Sequence, residues 1–157
     1  MDEQENMIHL EEITPDNWRE ELKVTEEQKR FVSSSAALLA RAYAFRNERS
    51  VAYMIYNDDT PIGMALYYDC DELNAYDFSQ LFIDERYQGH GYGKQAASMI
   101  LDCMRHDSKY DEVILCYIKG NDVARDMYEK LGFFHTGEAD EDEIIMKCRL
   151  YTVSENL

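Results

Sequence analysis

The stretch Gln88-Gly89-His90-Gly91-Tyr92-Gly93-Lys94 carries three glycines at alternate positions. A backbone with so few side chains can approach a ligand closely and turn through positive φ. The residues that follow, Lys94 to Arg105, have the apolar spacing of a helix. Unbonded N–H groups and the positive end of the helix dipole therefore face back into the turn, which makes it an anion site suited to a pyrophosphate. The dinucleotide fingerprint G-x-G-x-x-G is not met, because the third glycine comes one residue early. The Walker loop is not met either: Gly93-Lys94 fit, but Gln88 and Gln95 occupy its first and last positions. What remains is Gln88-x-x-Gly91-x-Gly93 between a strand and a helix.

A second group of residues lies downstream. Asn121 opens a helical run, Tyr128 falls seven residues later on one face with Ala124 and Leu131, and Gly132-Phe133 closes it. A phenol with an ordinary pKa near ~10 is almost wholly protonated at neutral pH and can hand a proton to a leaving group. Cys70, Cys103, Cys116 and Cys148 are scattered, and His9, His90, His106 and His135 form no ligand spacing. Neither a disulfide nor a metal is expected, and Cys103 and Cys116 read as small core residues.

These residues need elements to hold them. Met7 to Ile13 alternates enough for a first strand. Thr14-Pro15-Asp16 has the form of a helix start, with Trp18 and Leu22 on one face, and Thr25 with Gln28 forms a second, capping-box start. Ala36 to Phe45 is a run of strong helix formers. Ser50 to Tyr56, Ile62 to Tyr68 and Leu73 to Asp84 read as three antiparallel strands, the first two joined as a hairpin through 57–61. Ala96, Ala97, Ile100, Leu101 and Met104 make the apolar stripe of the next helix. Tyr110 to Ile118 is apolar at its centre, as a strand buried on both faces would be. After the Asn121 helix come a short strand at Phe133 to Thr136, an acidic loop at Gly137 to Asp142 and a last strand at Ile144 to Tyr151.

The chain of 157 residues, 45% apolar with two prolines, is sized for one domain covering 1–157 with a substantial core. No apolar run approaches the ~20 residues that span a bilayer. The acidic start at 1–6 lacks the basic and apolar parts of a leader, so a cytoplasmic location is expected. A net charge of −16 argues against nucleic acid and against an anionic membrane surface. It suits a cationic small substrate, and it equally suits plain solubility.

The loop Gln88-x-x-Gly91-x-Gly93 resembles the acyl-CoA pyrophosphate loop (Q/R-x-x-G-x-G/A) of the GCN5-related N-acetyltransferases. Asn121, Ala124, Tyr128, Gly132 and Phe133 fill that family's N-x-x-A-x-x-x-Y-x-x-x-G-F pattern, and the resemblance runs from about Tyr53 to Leu150. Within the family the chain looks most like bacterial polyamine (spermine/spermidine) acetyltransferases. The resemblance implies an α+β fold: a mixed, mostly antiparallel, splayed sheet of six to seven strands flanked by about four helices. It implies acetyl-CoA as co-substrate and no metal, with pyrophosphate on Gln88, Gly89, His90, Gly91, Tyr92, Gly93 and Lys94. It implies pantetheine along Leu81, Phe82 and Ile83, with Asn121, Ala124 and Tyr128 at its far end, and Tyr128 as the acid. The backbone N–H of Phe82 or Ile83 is then the expected donor to the oxyanion.

Asp77, Glu72 and Asp69 are the acidic residues expected to hold a polyamine, although Ser79 and Gln80, nearer the reaction centre, are not acidic. Acetylation of a protein N-terminus, a lysine or an aminoglycoside is the enzymatic alternative, and a non-catalytic acyl-CoA-binding module is the alternative of another class. The assembly is left open between monomer and homodimer.

Overall fold

The computed structural model describes residues 7–151. Seven strands form one sheet: β1 (Ile8–Glu12), β2 (Val51–Asn57), β3 (Thr60–Cys70), β4 (Ala75–Ile83), β5 (Glu112–Ile118), β6 (Phe134–Asp140) and β7 (Glu143–Arg149). Three α-helices accompany them: α1 (Ser35–Ala44), α2 (Tyr92–Asp107) and α3 (Asp122–Lys130). The spatial order is β1-β2-β3-β4-β5-β7-β6, antiparallel throughout except between β4 and β5.

The expected mixed, mostly antiparallel sheet is present at the upper strand count, with three α-helices where about four were expected. No helix forms at Thr14. The side chain of Asn17 accepts from Thr14 N at 2.8 Å and donates to Glu12 O at 3.0 Å, holding the segment as a turn against the end of β1. Leu22 is buried but Trp18 is exposed, so they share no apolar face. The Thr25–Gln28 capping box does form, with both reciprocal bonds at 3.3 Å, yet it caps only a single short turn, Gln28–Arg30. The acidic segment Gly137 to Asp142 is largely strand: β6 runs on to Asp140, and the reversal is confined to Glu141 and Asp142.

Alternation along the strands divides the core between the two faces of the sheet. On one face α2 and α3 pack over Ile55, Ala65, Tyr76 and Phe78. On the other α1 and the preceding arm cover Met54, Met64, Leu66, Tyr68 and Phe82. The sheet is continuous except at its middle. Strands β4 and β5 pair only at Tyr76 with Val113 and Asp77 with Ile114, and then diverge.

Candidate active site

The divergence is built into β4. Its register against β3 jumps from Tyr67–Phe78 to Leu66–Gln80, so Ser79 is one residue too many, a bulge that bends the strand. Beyond Asp77 no β5 residue pairs with β4, and the main-chain groups of 78–83 that point away from β3 face an opening. The opening is a groove of about 440 Å³ that connects the two faces of the sheet. On the α3 side it meets Asn121, Ala124 and Tyr128. On the α1 side it meets Arg30, Arg41, Tyr68, Asp77 and Glu143, with Cys116 on β5.

The glycine loop lies beyond the end of β4. Gly89 and Gly91 have φ of +85° and +79°, and a Cβ built on either would meet nothing within 4 Å, so the loop is open to a ligand. Gly91 is the N-cap of α2, and Gln95 N to Gly91 O at 3.1 Å is the first helical bond. The N–H groups of Gly93 and Lys94 therefore lack an intrahelical acceptor, and the exposed Lys94 adds a cation. The side chain of Gln88 is committed elsewhere. It donates to Ile83 O at 2.8 Å and exchanges amide bonds with Gln28, which leaves only its backbone for a phosphate. This cradle of left-handed glycines at a helix end, above a strand with open main chain, fits an acyl-CoA.

Asn121 caps α3, accepting from Ala124 N at 3.3 Å. About two turns further on, Tyr128 is buried between Phe78 and Phe133, edge-on to each ring. Among the described residues its hydroxyl has no hydrogen-bond partner, and burial pushes its pKa well above the ordinary tyrosine value. It is a phenol that keeps its proton until a stronger base arrives.

Asp77 faces the opposite mouth. Burial raises its carboxyl to about 6; Arg41 opposes the shift and Glu143 adds to it. The other two carboxylates expected to hold substrate are elsewhere. Asp69 is buried on the α2 side of the sheet, bonded to Arg49 Nε and Lys109 Nζ, each at 2.7 Å, and is saturated by those cations. Glu72 is exposed on the turn after β3 and does not line the groove. Leu81 is on the groove wall, and Phe82 and Ile83 continue the open edge of β4 toward the glycine loop. The Phe82 side chain packs on the α1 face, and the Ile83 carbonyl accepts from Gln88. The open stretch of β4 thus begins upstream of the expected donors, at the Ser79 bulge.

Sequence reasoning missed Arg41, Glu143 and Cys116. Arg41 is a single cation in a helix of small and apolar residues, a signal that was legible. Cys116 is exposed toward the groove rather than in the core, since the strand that carries it has lost its β4 neighbour there.

The profile of the Acetyltransferase (GNAT) family matches residues 9–133. The chain belongs to that family. It is therefore an acyltransferase of the acetyl-CoA-dependent kind. A curated relative, the spermine/spermidine N(1)-acetyltransferase of Bacillus subtilis, is 28% identical over 141 residues, covering 85% of this chain and 91% of the relative. Among solved structures, a spermidine N-acetyltransferase from Vibrio cholerae in complex with CoA and spermine superposes with a TM-score of 0.74 at 16% identity, covering 91% of this chain and 95% of that one. An aminoglycoside acetyltransferase in complex with coenzyme A reaches the same TM-score, 0.74, at 15% identity, with 91% and 95% covered. At those identities the structures speak to the fold alone. Among the described residues, no helix is long and apolar enough to cross a membrane.

Proposed function

We propose that this acetyltransferase moves the acetyl group of acetyl-CoA to a primary amine of a small polyamine such as spermidine or spermine. The observation that carries the reading is the through-sheet groove, with a protonated phenol at one mouth and a half-buried carboxylate at the other. Acetyl-CoA supplies the acyl group as a thioester. The glycine loop and Lys94 hold the pyrophosphate, Asn121 and the open edge of β4 hold the pantetheine, and main-chain N–H groups around the Ser79 bulge receive the developing oxyanion. Tyr128 protonates the departing sulfur, and Asp77 accepts a proton from the amine.

The choice of a polyamine is supported by the named function of the Bacillus subtilis relative, by the net charge of −16, and by Glu143 and the acidic β6–β7 hairpin beside the groove. A flexible polycation can lay its remaining ammonium groups along such a hairpin. Arg30 and Arg41 favour a different acceptor, because guanidinium groups repel a polycation that fills the groove. The deciding experiment compares kcat/KM for spermine, spermidine, a lysine peptide and an aminoglycoside, read by release of free CoA thiol. A polyamine should win by tenfold or more. A peptide or an aminoglycoside ahead by that margin ends the polyamine reading and leaves the family chemistry intact.

A further inference from the structure

We infer that Arg41 is a positioning residue that keeps the acceptor amine neutral at the point of transfer. The inference rests on the acceptor entering from the Asp77 mouth, and it does not depend on which amine that acceptor is. Arg41 reaches from α1 across the α1 face of the sheet and donates from Nη1 to Ser79 Oγ at 3.1 Å. Ser79 is the bulge residue, at the place where β4 leaves β5. The Tyr68 hydroxyl donates to the same Oγ at 3.3 Å, and Phe45 stacks on the Tyr68 ring with centroids 4.0 Å apart. The guanidinium is thus tethered at the opening by neutral groups.

Its charge acts on the Asp77 carboxylate across the groove but is not neutralised by an ion pair among the described residues. Arg49, Arg86, Arg105 and Arg125 are each paired with aspartates in this strongly acidic chain, whereas Arg41 forms no ion pair among the described residues. The titratable and charged groups that share the space are Arg30 from the arm, Tyr68 on β3, Asp77 on β4, Cys116 and Tyr117 on β5, Tyr128 on α3 and Glu143 on β7. Burial raises Tyr68, Tyr117 and Tyr128 above the ordinary tyrosine value and pushes Cys116 up to about 11, so neither the thiol nor the phenols ionise near neutral pH.

An alkylammonium has an ordinary pKa near ~10 and at pH 7 carries its lone pair free only about one part in a thousand. A like charge within ~4–6 Å disfavours its charged form. Beside Arg41 the amine surrenders its first proton to the Asp77 carboxylate. The nitrogen lone pair then forms the C–N bond at the thioester carbonyl carbon. The C–S bond breaks, its electron pair leaves on sulfur, and sulfur takes the Tyr128 proton. The second proton of the amine passes through water back to the Tyr128 oxygen. One acetyl group has moved, and the proton held by Asp77 is released to solvent. Arg41 therefore opposes capture of the charged amine and favours its reaction.

The test is steady-state kinetics of the full chain and its Arg41→Met variant across pH 6 to 10, using whichever amine in the panel above gives the highest kcat/KM. Arg41 is exposed, so the variant should fold as the parent does. Its KM should fall, its kcat at pH 7 should fall about tenfold, and the pH at which kcat reaches its plateau should rise by about one. Arg41→Lys should restore the parental profile. With a 2,2,2-trifluoroethyl-type primary amine, neutral at pH 7 without assistance, parent and Arg41→Met should have equal kcat. A higher KM at unchanged kcat would mean that Arg41 grips an anionic part of the acceptor, and the inference would be wrong. Identical profiles in parent and variant would also overturn it. If the best amine is not a polyamine, the polyamine reading falls while the Arg41 comparison still decides this one.

Discussion

Gln88 and Gln28 are joined amide to amide, each donating Nε2–H to the other's Oε1 at 2.9 Å. One residue begins the glycine loop; the other closes the capping box of the arm 60 positions earlier. The arm continues from there into Arg30, Phe31 and Val32, which line the acceptor mouth. The coenzyme loop and the acceptor mouth are thus braced through a single side-chain pair. Gln28→Ala removes that brace without touching the core. A hydrogen bond of this kind is worth on the order of 1 kcal/mol, so the Kd for CoA should rise about fivefold. Calorimetric titration reads this directly, and an unchanged Kd would show that the loop holds its shape without the arm.

Gly91 has the left-handed φ of +79° and an open approach. A valine there is strained by roughly 1–2 kcal/mol and covers the helix end with two methyl groups. Gly91→Val should weaken acetyl-CoA binding about tenfold or more. Gly93 differs, since it is helical and a Cβ on it would sit 3.5 Å from Met127 Sδ and 3.6 Å from Ile83 Cγ1. Gly93→Ala should be tolerated. Equal affinity of Gly91→Val and the parent would remove the pyrophosphate from this loop.

Tyr128→Phe keeps both aromatic contacts, with Phe78 and Phe133, and deletes a hydroxyl that has no partner to orphan. Stability and CoA affinity should hold while kcat drops by roughly 10²–10⁴. Because burial raises the phenol pKa, the parent should show no loss of activity from Tyr128 ionisation at pH 8 to 9. A near-parental kcat for the variant would reduce Tyr128 to a packed aromatic.

The central strands and the two long site elements were readable from pattern because their signals are local: the hairpin turn at 57–61, the stripe on α2, the N-cap at Asn121. The Thr14 segment misled because Asn17 can serve either as a helical residue or as a turn lock, and the choice depends on the end of β1, out of its sequence reach. Asp69 misled because acidic composition near a catalytic strand does not say which face a side chain takes. Its partners Arg49 and Lys109 come from 20 and 40 positions away. Arg41 and Glu143 reach the groove only through tertiary packing of α1 and the β6–β7 hairpin. The Ser79 bulge, which sets the whole site, has no sequence mark of its own.

Asp77 must be ionised to take a proton. Its carboxyl is raised to about 6, chiefly by burial, so it is charged above that pH and neutral below it. The parental kcat/KM should therefore fall with decreasing pH along a limb centred near 6. Asp77→Asn should lose that limb and most of the turnover, by roughly 10²–10⁴ if Asp77 is the proton acceptor. A variant that keeps the acid limb assigns it to another group.

A final prediction concerns the cluster that Asp69 joins instead of the substrate. Arg49 bonds Asp69 through Nε and Nη2 at 2.7 and 3.0 Å, and bonds Asp107 through Nη1 and Nη2 at 3.0 and 2.9 Å. Tyr76 also donates to Asp107, at 2.5 Å. Together these tie the end of β3 to the end of α2. The bonds from Arg49, then from Tyr76, hold the Asp107 carboxyl down at about 2, below its ordinary value of 3.8. Burial by itself would raise Asp69, but the bonds from Arg49 and Lys109 outweigh it and the net shift is downward. A depressed carboxylate pKa means the folded state binds protons less readily than the unfolded one. The stability it contributes is complete above the ordinary carboxylate range and is lost as pH falls from that range through the folded value near 2. Arg49→Met leaves Asp69 buried with Lys109 alone, and its Tm at pH 7 should lie about 5 °C below the parent. The gap should narrow as pH is lowered from 5 to 2, because protonation removes from the parent what the substitution has already removed from the variant. A gap that stays constant across that range would show that Arg49 stabilises by packing rather than by charge.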